Sequence, residues 1–125
     1  MIRAVRTMFK CHVILFVGEK EQSVVEYIEK GGYELNYPEE FYMRVHAVRK
    51  HEVGAVTGFG TMGTCFIYLR HLHDMPVFAH EISHAAFAIL ERAGVPHTRD
   101  TEEVYAYLQE YIMDGLLDKE NTKKE

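Results

Sequence analysis

The sequence has little that would commit it to nucleic acid, to a membrane or to an oxidising compartment. No cluster of Lys or Arg is longer than Lys123-Lys124, and the formal net charge is −5. A nucleic-acid partner engaged through a basic face is therefore not expected. No apolar run approaches the length needed to span a bilayer, so no membrane partner is expected either. Arg3, Arg6 and Lys10 ahead of the apolar run Cys11–Val17 mimic a signal peptide only superficially. That run is short, contains His12, and gives way to Gly18-Glu19-Lys20 instead of a small-residue cleavage site. The two cysteines, Cys11 and Cys65, lie in apolar runs without CxxC spacing. They read as reduced core residues of a cytoplasmic protein. Internal repeats and low-complexity tracts are absent.

What is present suits one small domain. The chain has 125 residues, and 47% are hydrophobic, enough to bury a core. We expect a single minimal domain over residues 1–117 and a flexible polar tail over 118–125. Cys11–Val17 reads as a buried strand closed by Gly18, and Glu19–Lys30 as a helix stopped at Gly31-Gly32. Tyr33–Glu40, with Pro38, reads as a loop. Phe41–Val48 alternates Met43, Val45 and Ala47 with Tyr42, Arg44 and His46, which predicts a strand. The glycine-rich stretch Val53–Gly63 suggests a distorted strand entering a loop, and Thr64–Leu69 a strand apolar on both faces. Asp74 is a helix N-cap with Pro76 in the first turn. The helix that follows runs to about Ala93 and is apolar almost all round, which predicts a central, buried element. A last helix covers Thr101 to about Leu117, with Val104, Leu108, Tyr111 and Gly115 as its inward stripe and Asp100 with Glu103 as a capping box. The fold class is α/β (α+β type): a small mixed sheet on a buried helix, with a second helix closing the site.

The chemistry concentrates in Val77-Phe78-Ala79-His80-Glu81-Ile82-Ser83-His84-Ala85-Ala86. Histidines four apart lie one above the other on a helix, so His80 and His84 can converge on one ion. Glu81 follows the first ligand and can take a proton from a metal-bound water without ligating the metal itself. With eight histidines and 19 acids in the chain, an HExxH pattern is only moderately specific alone. Its setting in the most apolar helix sharpens it, because buried imidazoles and carboxylates need partners. One zinc ion is the expected cofactor, and such a site needs at least one more protein ligand and an open position. Glu103, on the last helix, is favoured over Glu102 and His97; Asp100, Glu110 and Asp114 are further candidates. His71 and His73 could support a second metal, but Arg70 and Asp74 beside them point to a solvated turn.

The segment resembles the zincin metallopeptidases, and within them the gluzincins, whose third ligand is a Glu on a following helix. The spacing from His84 to Glu103 is similar to that of some gluzincin families. Glu103-Val104-Tyr105-Ala106-Tyr107 is similar to the Glu-Ala-Tyr-Ala-Tyr segment of small HExxH proteins encoded by bacteriophages, and more distantly to the Glu-Ala-Asn segment of ImmA/IrrE-type peptidases. Tyr105 stands where the latter have Asn, and Leu90 and Gly94 depart from the third-histidine motif of metzincins. The likeness covers about Phe66 to Ile112. It implies a peptidase whose Thr64–Leu69 strand lies beside an extended peptide or protein substrate, working in the cytoplasm (a host's, if phage-encoded). Tyr107, ahead of Tyr105 and His97, is the favoured donor to the developing oxyanion. The competing reading is a zincin-like metal-binding interaction or regulatory module without turnover. Neither the substrate nor the oligomeric state is written in the sequence.

Overall fold

The run of β-branched and aromatic residues His12–Val17 (β2) forms an inner strand whose Val13, Ile14, Leu15 and Phe16 are all fully buried. The computed structural model describes residues 1–118. The other elements are β1 (Ile2–Arg6), α1 (Glu21–Lys30), α2 (Pro38–Arg49), β3 (Ala55–Phe59), β4 (Cys65–Leu69), α3 (Met75–Arg92) and α4 (Glu102–Leu117). The sheet is mixed, in the order β1-β2-β4-β3. β2 and β4 pair in parallel, and the outer strands pair antiparallel to them. The expected mixed α+β architecture is therefore present.

Each face of the sheet has its own core. Val13, Leu15, Cys65, Ile67 and Leu69 pack with α3 and α4. Ile14, Phe16, Phe66, Tyr68 and Val56 pack with α1 and α2. This two-sided cover is why β2 and β4 read as continuous apolar runs. Cys11 and Cys65 are both free and buried. Burial first, and Cys11 second, push the Cys65 thiol up to about 12, so it stays protonated and behaves as a small apolar side chain.

Several expectations are corrected. Phe41–Val48 lies in α2, not a strand, and Pro38 opens that helix instead of sitting in a loop. Phe41, Val45 and Val48 recur at helical spacing and are the buried residues, whereas Met43 is exposed. Pro38 in the first turn, followed by Glu39 and Glu40, suits a helix N-terminus. β1, which the sequence did not suggest, pairs antiparallel with β2. α3 is not buried all round: Phe78, Glu81, Ile82, Ala85, Ala86, Ile89 and Leu90 face the core, while His80, His84 and Phe87 face outward. The buried stripe of α4 is Tyr105, Leu108, Ile112 and Leu116, with Val104 and Tyr111 exposed. Its entry is a short 3-10 turn, Arg99–Thr101, closed by a capping box between Thr98 and Thr101, not by Asp100 and Glu103. β4 is hydrogen-bonded on both sides, so no peptide can add to it; β3 is the outer strand on that side. The tail expected from 118 onward lies, apart from Asp118, outside the described residues. No described helix is long and apolar enough to cross a membrane.

Candidate metal centre

Asp74 caps α3 by accepting from the Val77 backbone N–H at 3.3 Å, and Pro76 stands in the first turn. From that start the core-facing residues fix the rotation of the helix, and two histidines come to lie side by side on its outer surface. The Nε2 atoms of His80 and His84 are 3.1 Å apart, with ring planes at 82°. Two imidazole nitrogens, each about 2.0–2.1 Å from one tetrahedral zinc ion, would lie about 3.4 Å apart. The observed separation is close to that value and also permits an N–H···N hydrogen bond, with one ring donating.

Glu81 sits one residue round the helix, towards the sheet, and is 7% exposed. The Thr57 hydroxyl of β3 donates to its Oε1 at 2.6 Å. That bond occupies one carboxylate oxygen and leaves Oε2 3.9 Å from His80 Nε2. Donor atoms of His80, Glu81 and His84 all lie within 4.8 Å of one another, the one such cluster among the described residues. A cavity of about 400 Å³, lined by Gly54, Ala55, Pro76, Val77, His80 and Glu81, adjoins it. The two converging imidazoles fit a zinc ion by donor chemistry; for the further protein ligand that such a site takes, the described residues bring only Glu81 within reach.

Glu103 and Tyr107 are not brought to this cluster. Each is two residues from the buried Tyr105, about 200° round the helix, and so on the outward face of α4; both are exposed. Glu102 and Asp100 are exposed as well and join no such cluster. His97 lies tilted against Tyr105, ring centroids 4.4 Å apart, and meets the edge of Phe87, so it belongs to an aromatic group at the far end of α3. Tyr105 is buried, its hydroxyl donating to the Val95 carbonyl at 3.4 Å. His71 and His73 are exposed and stack on each other at 3.6 Å. Thr57 was missed in the sequence. Its only signal is its parity within β3, shared with Ala55, and that is invisible until the strand's boundaries are known.

The chain matches no family model, no curated protein and no solved structure.

Proposed function

We propose that the protein is a zinc-dependent hydrolase, most simply a small metallopeptidase, with His80 and His84 as metal ligands and Glu81 as general base. The observation that carries this reading is the convergence of the two Nε2 atoms beside a buried carboxylate whose Oε1 is held by Thr57 and whose Oε2 lies 3.9 Å from His80 Nε2. A side chain fixed in this way is suited to repeated proton transfer, because little reorganisation is needed. When bound, zinc supplies a Lewis acid that polarises the scissile carbonyl and acidifies the attacking water. Glu81 accepts that water's proton at Oε2 and returns it to the leaving amine. Thr57 holds the opposite oxygen, which leaves Oε2 on the His80 side. His80 and His84 would hold the ion through their Nε2 atoms, together with a further protein ligand. An extended substrate has the outer edge of β3 beside it, since Thr57 connects that strand to the base.

Metal analysis and peptide hydrolysis together test the reading. The purified protein is expected to bind zinc. His80→Ala and His84→Ala are each expected to lose it. Glu81→Gln is expected to keep the metal while hydrolysis falls by roughly 10²–10⁴-fold. A protein that takes up no metal sinks the proposal outright. Metal binding with no hydrolysis of any peptide or protein favours the metal-binding module instead.

A further inference from the structure

β3 exposes its two faces to different company. Ala55 and Thr57 face α3 and the metal cluster, whereas Val56 and Gly58 face α2. On the α2 side a cavity of about 270 Å³ is lined by Leu35, Tyr37, Phe41, Val56 and Phe59, with Glu40 and Arg44 at its charged wall. That volume falls just below the range of small-molecule sites, about 300–1,000 Å³, and suits a single side chain. Glu40 and Arg44 pair with each other at 2.9 Å, so the wall carries no unbalanced charge.

The backbone at this edge is also unfilled. Gly60 donates inward to Thr64, while the Phe59 carbonyl points outward and accepts from the Asn36 N–H at 2.9 Å. Alternation along an antiparallel strand then turns the N–H and C=O groups of Thr57 and Ala55 outward too. None of the described residues pairs with them through its backbone. The chain's own Leu35 bridges Gly60 at the far end of the edge, so the edge already accepts extended backbone where it is covered.

Resting on the hydrolase reading for its substrate, we propose that this edge binds an extended peptide whose large, uncharged apolar side chain fills the Tyr37–Phe41–Phe59 cavity. Side chains of an added strand alternate between faces. The residue opposite Thr57 then lies on the Glu81 side of the sheet, and its neighbour opposite Gly58 points into the cavity. Gly58 has no side chain to obstruct it; Phe41 forms the floor there. The cavity thus selects the residue next to the one presented to the base.

The test uses the Glu81→Gln protein, with and without zinc, titrated with Ac-Thr-Ala-Phe-Ala-Thr-NH2 and with the same peptide carrying Asp in place of Phe. Amide shifts in NMR spectra are expected at Ala55 and Thr57, with ring shifts at Tyr37 and Phe59. The Phe peptide is expected to bind about tenfold or more tightly. Ala55→Pro removes one outward N–H and leaves the β3–β4 ladder intact, and is expected to weaken binding; Tyr37→Ala is expected to narrow the Phe-over-Asp preference. Shifts confined to another surface, no shifts, or equal affinity for the two peptides overturn the proposal. Binding at this edge by a protein that, with Glu81 present, hydrolyses nothing keeps the groove and overturns the hydrolase reading.

Discussion

The two faces of the sheet are built from different materials. On the α1–α2 side the core is a set of meeting rings: Phe16 with Tyr27, Tyr27 with Tyr33, and Phe66 with both Tyr33 and Phe41. On the α3–α4 side most core residues are aliphatic, with Phe78 and Tyr105 among them, and Ala85 and Ala86 of α3 are fully buried. Small residues let a helix lie close to a sheet, close enough here for Glu81 to meet Thr57. Each face has a cavity beside β3: the one on the α2 side is lined by Phe41, Tyr37 and Phe59, the one on the α3 side by Val77, His80 and Glu81. The difference teaches a division of labour: the α3–α4 layer holds the polar cluster in place, and the ring-rich layer shapes the surface next to it.

The sharpest way to break that comparison is to empty the aromatic layer. Phe66 is fully buried between Tyr33 and Phe41. Phe66→Ala is expected to lower stability by about 3–5 kcal/mol, read from urea unfolding. Zinc affinity of the folded fraction should be unchanged, because distant sites act independently. Loss of metal affinity in step with stability would show that the layers are not separable.

A smaller effect is expected from overfilling the same layer at the edge. A Cβ added at Gly58 would stand 2.4 Å from the Phe41 ring. Phe41 is itself buried, so it must shift. Gly58→Ala is expected to destabilise by about 1–3 kcal/mol and to fill part of the cavity. The same substitution should leave the His80–His84 pair untouched, since Gly58 faces away from α3. An unchanged unfolding midpoint would mean that Phe41 yields freely and the cavity is soft.

How much of this was legible in the sequence depends on whether local signals agreed. β2, β4, α1 and α3 were plain because apolar runs, caps and glycine stops pointed the same way, and the histidine pair followed from helical spacing alone. α2 was misread because Met43, Val45 and Ala47 alternate like a strand while Phe41, Val45 and Val48 recur like a helix. Both patterns share Val45, and only packing decides between them. The histidines were expected to be buried by an all-apolar helix. In the fold they are exposed, and only Glu81 carries the burial argument. Phe87 contributed to the error, being apolar in sequence yet 43% exposed in the fold.

The smallest expected effect bears on Glu103, which the sequence favoured as the third ligand. α4 has two apolar stripes, Val104–Leu108–Tyr111 and Tyr105–Leu108–Ile112–Leu116, which share Leu108 and differ in phase. The first stripe puts Glu103 on the flank of the buried face; the second, which the fold uses, puts it on the far side. The helical-face argument for Glu103 therefore turned on which stripe would win, and the one with the larger and more numerous buried side chains did. Glu103→Gln is accordingly expected to leave zinc affinity within about twofold of the wild type, well inside the tenfold that 1.4 kcal/mol represents, in a competition titration against a metal-binding dye. Tyr107→Phe should be equally silent. If Glu103→Gln instead loses the metal as completely as His84→Ala, the first turn of α4 must rotate when zinc binds. The short 3-10 turn at Arg99–Thr101 would then be the hinge that permits it, and the contrast between a fixed chemical layer and a shaping layer would fail at that helix.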